Sequence, residues 1–129
     1  MNNSNSASVQ EDTEATILND LIIDAIQDVK GKGIKKYDLR QLDEASTDFF
    51  IICHGSSSAQ LSGILSNIER KVIKELGIRP NHTEGKMSKN WRLIDYFSVV
   101  VHVFAEDKRG FYNLDDLWSD AIVTAYEDI

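Results

Sequence analysis

The chain has 129 residues, 42% apolar and 27% charged, so one ordinary globular domain is expected; wholesale disorder, collagen-like repeats and disulfide scaffolds are excluded. Acids number 21 and bases 14, and the net charge of −7 argues against a surface built throughout to grip nucleic acid or anionic membrane. The charge is uneven: residues 1–29 hold six acids and no base, residues 30–92 twelve bases and seven acids, and residues 93–129 eight acids and two bases.

Residues 1–15 are Asn/Ser-rich and then acidic. Such a stretch buries too little apolar surface to offset its ordering entropy, so a disordered tail is expected ahead of a single domain over 16–129. It lacks the basic and apolar regions of a signal peptide, and no apolar run approaches the roughly 20 residues of a membrane span. With Cys53 as the single cysteine, no internal disulfide can form, and a cytoplasmic location is expected.

From Ile17 the apolar spacing is helical, with Leu18, Leu21, Ile22, Ala25, Ile26 and Val29 on one face. Gly31 and Gly33 are expected to stop this helix through a left-handed cap. Ile34–Arg40 reads as a charged strand at or near a sheet edge. Phe49–Cys53 is apolar on both faces and predicts a central strand. A second helix follows the Gly55-Ser56-Ser57-Ser58 turn, capped at Ser57 or Ser58, with Leu61, Ile64, Leu65, Ile68, Val72 and Leu76 as its stripe and Gly77 as its end. Residues 80–90 read as a polar loop. Trp91–Phe97 and Val99–Phe104 predict two strands joined by a tight turn at Phe97-Ser98. Leu114 to about Tyr126 reads as a final helix capped at Asn113. The expected order is α-β-β-α-β-β-α, an α/β fold with a mixed sheet packed with helices.

The Gly55–Ser58 turn lies between a buried strand and a helix, where phosphates bind when backbone N–H groups and the helix dipole converge. No Gly-Lys-Ser/Thr follows, so it is not a P-loop. It matches the Gly-Ser start of a nucleotidyltransferase site, but residues 57–68 contain no Asp or Glu to hold metal ions. A structural turn explains it more simply. Cys53 and His54 are adjacent and point to opposite faces of a strand, so they cannot act as a pair. His54, His82 and His102 have no metal-ligand spacing. No catalytic, cofactor or metal residue is expected. The basic run Lys30, Lys32, Lys35, Lys36 and Arg40 could touch phosphates, with Tyr37 to stack, although a solvated edge strand accounts for it.

Several segments together carry a resemblance: the first helix ending in Lys30-Gly31; Asp38-Leu39; Thr47–Cys53 with Gly55–Ser58; Glu84-Gly85; Trp91; Asp95-Tyr96; Val99–Phe104 around His102; and Arg109–Trp118. In this order, over roughly residues 17–120, the sequence resembles the ribosomal silencing factor (RsfS, Iojap-like) family. It departs at Phe97-Ser98, where the family often has Gly-Asp, at Asp116, where Glu is usual, and in a tail running past Trp118 to Ile129.

The resemblance implies a nucleotidyltransferase-like fold without catalytic carboxylates and a non-enzymatic role. Family members bind large-subunit ribosomal protein fourteen, sterically block joining of the small subunit and repress translation when nutrients are scarce; organellar relatives are linked to ribosome biogenesis. Ribosomal proteins are mostly basic, so an acidic, aromatic-bearing face suits such a partner. The expected contact residues are Glu84, Trp91, Asp95, His102, Tyr112, Asp115 and Asp116, with rRNA at most a neighbour. The alternatives are an RNA-binding or biogenesis factor using the basic middle, or a residual nucleotide-binding enzyme using the Gly55–Ser58 turn. The valine-rich strand leaves a homodimer open.

Overall fold

The computed structural model describes residues 3–112 and 119–129, with side chains from 14 to 110 and from 119 on. Helix α1 spans Asn3–Asp28, so helical backbone extends back across the segment read as a tail. Its buried stripe is Leu18, Ile22, Ile23, Ala25 and Ile26. The left-handed residue at its end is Lys30 (φ 64°), not Gly31, and the Gly31 N–H closes the turn onto the Ile26 carbonyl at 2.9 Å. Glycine is needed at 31 for a different reason: a Cβ there would collide with the Ile26 side chain.

Strand β1 (Lys32–Asp38) leads through a polar connection to β2 (Phe49–Gly55). Helix α2 (Ser58–Leu76) starts at Ser57, whose hydroxyl accepts the Gln60 N–H at 3.1 Å, and ends at left-handed Gly77. Strands β3 (His82–Glu84), β4 (Trp91–Asp95) and β5 (Val99–Ala105) follow. A 3-10 turn at Glu106–Lys108 runs into the short α3 (Arg109–Tyr112), and β6 (Ile122–Ala125) completes the sheet.

The sheet order is β3-β4-β5-β2-β1-β6. Only the β2–β5 pair is parallel among the pairings described, and it places β2 near the middle, as its two apolar faces require. β1 lies one strand in from the edge.

Two elements differ from expectation. The 80–90 loop contains β3, a polar three-residue strand that exists by pairing with β4. The expected helix to Tyr126 gives way to β6, because Ile122, Val123 and Thr124 form a β-branched run beside the open side of β1. Tyr126 N–H donates to the Ile34 carbonyl at 3.0 Å and Gly33 N–H to the Asp128 carboxylate at 3.0 Å, which fixes this segment along β1. The Asn113 cap and Leu114–Trp118 lie outside the described residues.

Helices α1 and α2 cover one face of the sheet and leave the other, the helix-free face, without either of them. On the covered face Ile34, Phe49, Ile51, Cys53, Ile94, Val99, Val101 and Val103 pack with the α1 and α2 stripes. On the opposite face a smaller cluster, Tyr37, Leu39, Ile52 and Phe104, is partly roofed by Leu42, Ala45 and Ala121. Among the described residues no helix is long and apolar enough to cross a membrane.

Candidate functional site

Strand register decides which side chains share the helix-free face. His82 pairs with Asp95 and Glu84 with Leu93 across β3–β4; Trp91 pairs with Phe104, Leu93 with His102 and Asp95 with Val100 across β4–β5. Cross-strand partners point to the same side. The intervening residues Arg92, Ile94 and Val101 are buried against the helices. Trp91, Leu93 and Val100 are therefore a half-buried apolar stripe, with Glu84 and Asp95 at its acidic rim.

Trp91 is held from below. Its indole N–H donates to Nδ1 of His102 at 3.1 Å, which puts the imidazole proton on Nε2. The His102 ring lies edge-on to Phe50 (4.9 Å between centroids, 78°) and parallel to Phe104 (6.1 Å, 6°). His102 is 9% exposed, and its Nε2 has no hydrogen-bond partner among the described residues. Burial pushes its pKa down to about 4, against a small opposing pull from Glu84, so the ring is neutral near pH 7.

The acidic rim is organised by His82. Its Nε2 is 3.0 Å from Glu84 Oε2 and its Nδ1 3.5 Å from Asp95 Oδ2. Asp95 also accepts the Phe97 N–H at 2.7 Å, and the Phe97 carbonyl accepts the Thr47 hydroxyl at 2.7 Å. These two bonds pin Phe97 in the left-handed region at φ 68°, with its ring 71% exposed.

At the far end of β2, the Gly55–Ser58 turn is occupied from within. Gln60 Oε1 accepts both the N–H (2.7 Å) and the hydroxyl (3.1 Å) of Ser56, and Gln60 Nε2 donates to the carbonyls of Val29 (3.2 Å) and Lys30 (2.9 Å). The donors of Ser56 are thus engaged by a carboxamide. Beside it Arg109 donates to the Gly33 carbonyl and to His54 Nδ1. Burial first, then Arg109, holds the His54 pKa below its ordinary value. Cys53 is fully buried and its thiol is pushed up to about 12, so it packs rather than reacts. Among the described residues no cluster of His, Cys, Asp or Glu could hold a metal ion.

The family model described as ribosomal silencing factor during starvation matches residues 11–129. The chain belongs to the RsfS family. It is 38% identical over 109 residues to the ribosomal silencing factor RsfS of Halalkalibacterium halodurans, covering 84% of this chain and 92% of that one. The RsfS of Bacillus subtilis is 38% identical over 97 residues, covering 75% and 80%. A crystal structure of a Chromobacterium violaceum protein superposes with a TM-score of 0.74 at 32% identity, covering 81% and 85%. RsfS proteins are non-enzymatic, ribosome-binding regulators of translation.

In this RsfS member, four of the seven expected contact residues share the helix-free face. Trp91 touches His102, and His82 links Glu84 to Asp95. Tyr112 closes α3, its side chain not described, and Asp115, Asp116 and Trp118 lie outside the described residues. Sequence reasoning missed His82, Leu93 and Val100 on that face. Strict alternation from Trp91 would have found Leu93, whereas His82 needed β3 to be recognised. It also missed Arg92, a 4%-exposed guanidinium that donates to Ser62 Oγ, Ser58 Oγ (3.2 Å) and the Ser88 carbonyl (3.1 Å), tying β4 to the start of α2.

Proposed function

We propose that the helix-free face of β3–β4–β5 docks this protein onto large-subunit ribosomal protein fourteen, and that the bound chain sterically excludes the small subunit and represses translation under nutrient limitation. The observation that carries the reading is the half-buried stripe Trp91–Leu93–Val100 with Glu84 and Asp95 at its rim, on a sheet whose other face is filled by α1 and α2. An aromatic anchor in an apolar centre with acidic edges is the chemistry that recognises a basic protein. A stable interface needs about 800 Å² on each partner, so neighbouring residues join it. Tyr112, Asp115 and Asp116 follow β5 closely in the chain and are the candidates, with rRNA as an adjoining contact. The action is by occupancy, in the cytoplasm, with no cofactor. The engagement of Ser56 by Gln60 favours this over nucleotide chemistry at the Gly55–Ser58 turn.

The test is sucrose-gradient sedimentation with separated ribosomal subunits. The protein should travel with large subunits and prevent their joining to small ones. Trp91→Ala with Asp95→Ala should weaken binding by tenfold or more, about 1.4 kcal/mol. A double variant that sediments with large subunits as wild type does would discard this face.

A further inference from the structure

We infer that His102 is a positioning residue for docking: its Nδ1 fixes the Trp91 indole in the orientation that the helix-free face presents. This rests on the docking reading of that face. His102 is itself too buried to offer much contact, at 9% exposure, whereas Trp91 is half-buried and reaches the surface.

Three observations carry the inference. The indole N–H can only donate, so its 3.1 Å bond to Nδ1 sets the direction of the ring and not merely its contact area. The imidazole cannot swivel to follow the indole, because Phe50 lies edge-on to it and Phe104 lies parallel to it. Its other nitrogen is left unpartnered among the described residues. An orphaned buried donor is destabilising, and an apolar ring at position 102 would avoid that loss. The same strand places Val99, Val101 and Val103 on its other side, so packing there is solved by apolar residues. The histidine at this position therefore serves the bond to Trp91 rather than the packing of the sheet.

The experiment measures the affinity of the full chain for purified large ribosomal subunits, and records the indole ¹H–¹⁵N resonance of Trp91, assigned by its loss in Trp91→Phe. His102→Phe keeps a ring but removes the acceptor; His102→Gln keeps an acceptor. The expected result is that His102→Phe weakens binding about fivefold, the effect of one lost hydrogen bond, and shifts the indole resonance without lowering the thermal midpoint. His102→Gln should recover most of the affinity and of the resonance position. Adding His102→Phe to Trp91→Phe should weaken binding no further, since both remove the same bond. The inference is overturned if His102→Phe binds as wild type while Trp91→Ala does not, or if His102→Gln is as weak as His102→Phe. If Trp91→Ala also binds as wild type, the docking face itself is wrong and the inference falls with it.

Discussion

The two faces of the sheet are made by alternate residues of the same strands, yet they are finished differently. On β5, Val99, Val101 and Val103 turn toward α1 and α2 and are fully buried; Val100, His102 and Phe104 turn the other way, toward a histidine–aromatic cluster. The covered face is mostly aliphatic and fills space, with Phe49, Tyr96 and the tethered Arg92 among its exceptions. The opposite face mixes rings, a neutral imidazole and a carboxylate rim; each face leaves a buried side-chain atom unpaired among the described residues, the Tyr96 hydroxyl on the first and His102 Nε2 on the second. Aliphatic packing is what stability asks for, and the mixed face is the one proposed to meet a partner. Reversing the residues by one register position would exchange the two roles.

The sharpest way to separate the faces is to damage one and read both properties. Ile64 in α2 is fully buried between the layers, and Ile64→Ala should cost about 2–5 kcal/mol in urea unfolding while leaving the affinity of the folded molecules for large subunits unchanged. A parallel loss of affinity would show that the faces are not independent.

The next effect is a pH dependence that belongs to the helix-free face alone. The His102 pKa is held at about 4 when folded, against 6.5 when unfolded, so the folded state prefers the neutral ring. That contribution is fully present above pH 6.5 and is lost as pH falls toward 4, by about 3 kcal/mol across the window. The wild type should therefore lose more stability between pH 7 and pH 4 than His102→Phe does. Equal losses would remove the assignment. Asp38, whose pKa is lowered chiefly by its hydrogen bond from Arg40, contributes below that window and does so in both proteins.

The smallest effect lies at the junction of the faces, the β4–β5 turn. Phe97 sits at φ 68°, which costs a side-chain-bearing residue about 1–2 kcal/mol, while glycine would lose about 0.5–1 kcal/mol through its freer unfolded chain. Phe97→Gly should raise stability by about 0.5–1 kcal/mol in thermal or urea melts. A drop would mean that the exposed ring is itself packed against something that matters to folding.

Much of this fold could be read from the residues. The unbroken run Phe49–Cys53 announced a buried central strand, and Ser57, the α2 stripe and Gly77 marked out α2 from end to end. β3 could not be read, because His82-Thr83-Glu84 carries no apolar alternation and is a strand only through β4. β6 had a signal in Ile122-Val123-Thr124, but the helical reading begun at Leu114 overran it. Lys30 holds the left-handed position expected of Gly31, and the glycine at 31 gives clearance to Ile26 instead. For the candidate face, Trp91, Asp95 and Glu84 were legible as residue types. The bond between Trp91 and His102 was not, since they lie eleven positions apart and meet only through the hairpin register.

The parallel seam between β2 and β5 has a consequence for how the molecule assembles. It joins Phe49 to Val99, fifty positions apart, whereas the β4–β5 hairpin closes through a three-residue turn. The hairpin can form early and locally; the seam must wait until α2, β3 and β4 have been laid across the gap. Ile51–Val101 and Ile52–His102 are successive rungs of that one ladder, the first facing the helices and the second facing outward. Parting the seam would open the interior and pull Phe50 from the His102 ring, while Trp91, Leu93 and Val100 stay together on β4 and β5. A molecule with the seam open would keep the proposed docking stripe but lose the ring that braces His102 beneath it.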